Sequence, residues 1–244
     1  MKKKFELIED RYDGVTLYGN TIEYSVEEFE EALLEFLSNL KDKKLFWIKL
    51  LREHSEFIPL LIKNDFVFHH CDENSVMLVK KLIKDPIIPT AKNHTLGVGV
   101  VVIHKNMLLV IKDRINQVYK LPGGFIDDRE SISQASEREV FEETGVRVKF
   151  DSIVSLGHFT PAQFGESNLY VVSLARALTT KIDIQDTHEI EEARWIDVAE
   201  YLRREDVSAY NQELVKKALE KQNALVQKEL ELKSKANIQY ELFF

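Results

Sequence analysis

The sequence predicts a mixed α/β protein built as two units, and three observations predict it. Short apolar runs of strand character alternate with amphipathic stretches of helical period in both halves of the chain. A proline-bearing stretch, KDPIIPTAKNHT at 84–95, separates the two patterned regions. The 244 residues, 44% of them apolar, suffice for one large core or two small ones.

In the first region VTLYGNTIEYS (15–25) reads as a strand or hairpin. SVEEFEEALLEFLSNL (25–40) reads as an amphipathic helix, with Ser25 and Glu28 as a capping box and Phe29, Leu33, Phe36, Leu37 and Leu40 on one stripe. LFWIKL (45–50) is a strand, HSEFIPLLIKN (54–64) a helix, and DFVFHH (65–70) and SVMLVKKLI (75–83) are strands. Proline fixes φ and removes a donor, so the stretch that follows is an extended linker. The boundaries expected are a first α/β domain over 1–88 and a linker over 89–94.

The second region opens with LGVGVVVI (96–103) and MLLVIKD (107–113), an antiparallel hairpin joined through His104, Lys105 and Asn106. KLPGGF (120–125) is a glycine turn, and a helix follows over 131–144. Ser131 caps it, Ile132, Ala135 and Val140 (with Ser136) face inward, and Gly145 stands where a left-handed residue ends helices. VRVKFDSIVSL, LYVVSLARAL and ARWIDV are strands. A last helix begins near Ser208, and its apolar Leu214, Val215, Ala218, Leu219 and Leu225 suggest a homodimer. This region divides into a second domain over 95–205 and a C-terminal helix and tail over 206–244.

Composition narrows the function. A net charge of −8 repels nucleic acid at long range. No run approaches the ~18–20 apolar residues that span a bilayer, and the opening MKKKFELIED lacks the apolar core of a secretory signal. One cysteine, Cys71, excludes an intramolecular disulfide framework and points to a reducing cytoplasm.

The chemistry concentrates in GFIDDRESISQASEREVFEETGV (124–146), where Glu139, Glu142 and Glu143 share about 100° of helical arc. Repulsion does not settle their role, because each like-charge pair costs only about 0.2–0.5 kcal/mol. A solvated acidic face and a divalent-cation site of hard oxygen ligands are both compatible with spacing alone.

The flanking residues decide between them. The stretch resembles the Nudix box, G-x5-E-x7-R-E-U-x-E-E-x-G-U with U a bulky aliphatic, and Gly124, Glu130, Arg138, Glu139, Val140, Glu142, Glu143, Gly145 and Val146 match it without departure. The resemblance implies an α/β/α sandwich on a mixed sheet, and a Mg²⁺- or Mn²⁺-dependent hydrolase of a nucleoside diphosphate linked to a further group X. Carried onto this sequence, it makes Glu139, Glu142, Glu143 and the Gly124 carbonyl metal ligands, and Arg138 and Glu130 the pair that holds loop to helix. A loop carboxylate that serves such enzymes as base or extra ligand corresponds to Glu189 in HEIEEARWI (188–196), where a merely charged turn is the competing reading.

The likeness continues outside the box through WIKLL, FHHCDENSVMLV, GVGVVVI, LPGGFIDDRE and FGESNLYVVSL, over roughly residues 10–205. These stretches are similar to the two-domain ADP-ribose/NADH pyrophosphatase subgroup, which includes plant Nudix hydrolases and the vertebrate protein encoded antisense to a fibroblast growth factor. The subgroup implies an acetyltransferase-like first domain. Residues 1–90 hold only Gly14 and Gly19, so no glycine-rich loop for coenzyme A is present, and the domain reads as a substrate-side wall or dimerisation element. Phe159, Phe164 and Tyr170 are candidates to stack on adenine, with a place in the core as the competing reading for aromatics near strands. Other nucleotides remain open as substrates: a nucleotide sugar, coenzyme A, a diadenosine polyphosphate or an oxidised nucleoside triphosphate. So does a ligand-sensing regulator, against which the intact box and the lack of a basic patch both count.

Overall fold

A computed structural model describes residues 6–18, 24–161, 165–220, 224–228 and 241–244. The chain divides into two compact units, Met1–Asn93 and His94–Phe244.

In the first unit β1 (Glu6–Glu9) and β2 (Gly14–Tyr18) form an antiparallel hairpin. Asp10 builds its turn, Oδ1 accepting from the backbone N–H of Tyr12 and of Gly14. The hairpin partner of VTLYG therefore lies before it, and residues 19–23 of that stretch fall outside the described ones. Helix α1 (Val26–Asn39) opens on the reciprocal capping box of Ser25 and Glu28 and leads to β3 (Leu45–Leu51), parallel to β2. Its Phe29 and Leu33 pack into a core with Leu17, Phe46, Ile48 and Leu61.

The helix expected over 54–64 is two pieces, a 3-10 helix (Arg52–Phe57) and then α2 (Ile58–Lys63), with His54 out of helical conformation. Pro59 explains the break: it suits the first turn of a helix and not its interior. β4 (Val67–Cys71) and β5 (Ser75–Lys81) complete a five-stranded sheet of order β1-β2-β3-β5-β4.

The second unit carries β6 (His94–His104), β7 (Met107–Asp113), β8 (Tyr119–Lys120), α3 (Ile132–Thr144), β9 (Val148–Phe159), β10 (Ser167–Ala177), β11 (Ile190–Asp197), α4 (Val198–Arg203) and α5 (Ala209–Glu220). Its sheet runs β11-β7-β6-β10-β9, with β8 beside β7. β6 and β10 are parallel and their other neighbours antiparallel, so the sheet is mixed. The β6–β7 turn places Lys105 and Asn106 both at positive φ, as a two-residue hairpin requires.

Strand β6 is buried on both faces, and its alternation assigns the layers. Val98, Val100 and Val102 pack with Ala135 and Val140 of α3. Val101 faces the other side, with Tyr201 of α4 and Leu214, Val215 and Ala218 of α5. Helices on both faces of a mixed sheet make the α/β/α sandwich. Leu214, Val215 and Ala218 are spent on this core, and of the stripe read as a dimer face only Leu219 and Leu225 stay exposed. Sequence reading ran ARWIDV as strand to its end, whereas Val198 begins α4 because the Asp197 side chain accepts from Glu200 N–H and caps it.

Candidate active site

The segment 122–126 runs along β6. Val100 N–H donates to the Pro122 carbonyl (2.9 Å), Val98 N–H to that of Gly124 (2.8 Å), and Ile126 N–H to that of Leu96 (3.0 Å). Glycine is obligatory at 123, where φ is +149° and a Cβ would lie 2.1 Å from the Val98 carbonyl oxygen. Helix α3 then starts on a capping box of Ser131 with Gln134 and ends at left-handed Gly145. Ala135 and Val140 anchor it to the sheet, and Ser136 Oγ lies 3.0 Å from Ser173 Oγ of β10.

A distant residue holds the same helix end. Glu241 accepts from Ile132 N–H (2.6 Å), Ser133 N–H (3.3 Å) and Ser133 Oγ (2.6 Å), so the first three amide groups of α3 all have partners. Phe243 follows it into the cluster of Val98, Ala135 and Phe150.

With the helix fixed, its acidic face meets the 122–126 segment. Glu143 is 4% exposed and accepts from Gly123 N–H at 2.7 Å. Burial pushes its carboxyl up to about 8, with repulsion from Glu139 and Glu189 adding to the rise. Glu139 packs against Gly124, where a Cβ would stand 2.7 Å from either of its oxygens. Its carboxyl is raised by burial first and by Glu142 and Glu189 further.

Arg138 organises the rest. Its Nε and Nη2 grip both oxygens of Glu130 at 2.8 Å, Nη2 reaches the Phe125 carbonyl at 3.0 Å, and Nη1 donates to Glu139 at 2.8 Å and Glu142 at 2.9 Å. This fork ties loop to helix, and its hydrogen bonds lower the Glu130 carboxyl from its ordinary value. One guanidinium thus faces Glu130, Glu139 and Glu142. Among the described residues no basic side chain forms an ion pair with Glu143, and the neighbouring Lys120 is engaged with Asp113 at 2.7 Å. The cluster carries surplus negative charge on oxygen donors.

Comparison with known proteins gives the family. A family model described as a NUDIX domain matches residues 93–218, and one described as a Nudix hydrolase domain matches 5–82. Nudix hydrolase 2 of Arabidopsis thaliana is 33% identical over 83% of this chain and 76% of its own length. The chain belongs to the Nudix hydrolase family. As such it is an enzyme, a hydrolase. Nudix hydrolase 8 of Arabidopsis thaliana is likewise 33% identical over 80% of this chain, which spans 56% of that relative. Nucleoside diphosphate-linked moiety X motif 6 of Homo sapiens is 29% identical over 66% of this chain and 53% of its own. A solved Nudix hydrolase from Nitrosomonas europaea matches 64% of this chain and 86% of its own at 20% identity, with a TM-score of 0.48. The family assignment rests on the domain match and the plant relative.

Nudix hydrolases in general use divalent metals, and the donor set here suits a hard cation: carboxylates, a backbone carbonyl, and a buried carboxyl without a basic partner. The expected ligand trio is not gathered in the conformation described. Arg138 Nη1 fills the space between Glu139 and Glu142, and among the described residues no group of three His, Cys, Asp or Glu is close enough to hold a metal. Glu142, with a side chain 46% exposed, is the member that can turn at least cost.

Glu189 is exposed at the start of β11, its backbone N–H held by Asp186 at 3.1 Å, and its charge reaches both Glu139 and Glu143. Phe159 ends β9, 44% exposed and edge-on to Tyr210 at 5.6 Å. Phe164 lies outside the described residues. Tyr170, the third stacking candidate, has its ring so close over Gly97 and Gly99 that a Cβ on Gly99 would fall 2.5 Å from its hydroxyl, an approach the sequence reading did not foresee. The signal was present in GVGVVVI, since glycine inside a strand marks a close approach.

Proposed function

We propose that this Nudix hydrolase is a divalent-metal-dependent pyrophosphohydrolase of a nucleoside diphosphate linked to X, with ADP-ribose as first substrate and NADH as a related one. The observation that carries the reading is the set of carboxyl groups on one face of α3, Glu139 and Glu143 against the Gly123–Gly124 turn and Glu142 beside them, served by the single guanidinium of Arg138. Glu139, Glu142, Glu143 and the Gly124 carbonyl would hold Mg²⁺ or Mn²⁺, which when bound offsets phosphate charge and activates water. Arg138 sets the orientation of Glu139 and Glu142, and Glu130 locks Arg138. Water attacks one phosphorus, the bridging P–O bond breaks, and Glu189 takes the proton. ADP-ribose yields AMP and ribose 5-phosphate whichever phosphorus is attacked.

ADP-ribose is favoured over other nucleotides by the subgroup resemblance across roughly residues 10–205. No described helix is long and apolar enough to cross a membrane. We place the protein in the cytoplasm on its single, exposed Cys71. A homodimer belongs to the same reading, carried by exposed Leu219 and Leu225, and sedimentation at micromolar concentration checks it. The test of function is a panel of nucleotides with Mg²⁺, Mn²⁺ or chelator, products separated by chromatography. Metal-dependent release of AMP from ADP-ribose is expected. Activity confined to nucleoside triphosphates or coenzyme A would refute the substrate.

A further inference from the structure

Away from the carboxylates, the second unit holds a pair of imidazoles on the open surface of its sheet. His94 starts β6 and His158 stands one residue before the end of β9, both exposed. β10 runs between these strands, with His94 opposite Ser167 and His158 opposite Leu169. Ser167 and Leu169 are two apart on one strand and share a face, so both histidines stand on that face too. Their rings reach over β10 and meet tip to tip, Nε2 3.1 Å from Nε2 with ring centres 5.2 Å apart.

We propose that His94 and His158 form a reversible site for a divalent cation of the nitrogen-binding class, Zn²⁺, Cu²⁺ or Ni²⁺, separate from the carboxylate cluster and independent of the reading of the reaction. The spacing carries it. A metal ~2.0–2.1 Å from each of two imidazole nitrogens, at the angle of a square or a tetrahedron, holds them about 2.9–3.4 Å apart. The observed 3.1 Å falls inside that range, so ring rotation alone admits the ion. In the metal-free pair one neutral ring donates its Nε2–H to the other. To bind metal that ring carries its hydrogen on Nδ1 instead, a tautomer change that leaves both rings neutral. Imidazole suits zinc, copper and nickel, whereas Mg²⁺ and Mn²⁺ favour oxygen, so the two sites sort metals by donor type.

Two protein ligands leave the remaining positions to water. Structural zinc sites are closed by four protein ligands; a half-open site on the surface exchanges its metal. Distance keeps it apart from the carboxylates. Val98, whose N–H donates to the Gly124 carbonyl, is four residues along β6 from His94, about 13 Å of strand. A bound metal ties β6 to β9 across β10 at this end of the sheet. The other imidazole pair, His69 and His70 on β4, fits less well. Its Nδ1 atoms stand 2.7 Å apart, below the range for a shared metal, and the charges of Lys49 and Lys92 act on His70 and oppose a further cation.

Calorimetric titration of Zn²⁺ into the full-length protein in excess Mg²⁺ tests the site, and one tight binding event is expected. His94→Gln and His158→Gln should each weaken it by about 100-fold or more, because the second imidazole binds as an intramolecular ligand. Both residues are exposed, and circular dichroism of the metal-free variants checks that they remain folded. Glu142→Gln and His69→Gln should bind Zn²⁺ as wild type does. Thermal unfolding should show Zn²⁺ raising Tm more in wild type than in His158→Gln, and Cu²⁺ at one equivalent should show two nitrogen ligands by electron paramagnetic resonance. Unchanged Zn²⁺ affinity in His94→Gln and His158→Gln overturns the proposal. So does a loss that appears instead in Glu142→Gln, which would put the ion at the carboxylates, or in His69→Gln, which would put it in the first unit.

Discussion

Glu143→Gln should stabilise the metal-free protein, and only above a definite pH. The carboxyl is 4% exposed, is pushed up to about 8 by burial, and keeps the Gly123 N–H as its hydrogen-bond partner. Folded protein holds this proton more tightly than the unfolded chain, whose carboxyl titrates near 4.5. Stability from this group therefore falls as pH rises from about 4.5 to about 8 and is level on either side. A tenfold change in proton affinity corresponds to about 1.4 kcal/mol, which caps the penalty of the charged form at about 5 kcal/mol. Local relaxation brings the expected effect to about 2–4 kcal/mol, or roughly 4–15 °C in Tm for a unit of this size. Glutamine keeps an oxygen for Gly123 N–H and removes the charge. Thermal unfolding in chelator at pH 5 and pH 8.5 should show wild type and variant nearly equal at the lower pH and the variant higher at the upper. Added Mg²⁺ should raise wild type and leave the variant less affected, because the cation offsets the charge that the variant lacks. Equal Tm for the two proteins at pH 8.5 would refute the claim that an uncompensated carboxylate is buried there.

Other outcomes follow from the same contacts. Arg138→Lys keeps the charge but loses the two-pronged grip on Glu130, and steady-state kinetics should show activity reduced about 10–100-fold with the fold retained by circular dichroism. Gly123→Ala forces a Cβ to 2.1 Å from the Val98 carbonyl at φ +149°, and denaturant unfolding should show a loss of more than about 2 kcal/mol. Glu241→Ala removes the carboxylate that accepts from Ile132 and Ser133 and should cost about 0.5–2 kcal/mol, with Glu241→Gln recovering part of it.

What the sequence disclosed and what it hid divide along the range of the interactions. Helix α3 was legible at both ends because Ser131 and Gly145 act on their own neighbours, and box spacing alone put Glu139, Glu142 and Glu143 on one face. Helix α1 was legible for the same reason, through Ser25 and Glu28. Glu241 was not, because no local pattern announces that a residue some hundred positions downstream will cap a helix. Periodicity identified the apolar stripe on α5 but not what covers it, and Leu214, Val215 and Ala218 turned out to serve the unit's own core. Arg138 was read as the partner of Glu130, while its simultaneous hold on Glu139 and Glu142 depends on rotamers that spacing does not specify.

The central claim is that these glutamates hold a metal for phosphoanhydride hydrolysis, and Glu142→Gln tests it most directly. Its side chain is 46% exposed, so the substitution barely alters packing while removing one charged oxygen ligand. Metal ions at such sites contribute several kcal/mol to the transition state, and about 1.4 kcal/mol is tenfold in rate. With ADP-ribose and Mg²⁺, kcat should fall by roughly 10²–10⁴ while KM changes far less. The control is Glu27→Gln, an exposed first-turn glutamate of α1 in the other unit, which should match wild type. Equal kcat in the Glu142→Gln and Glu27→Gln proteins would contradict the account.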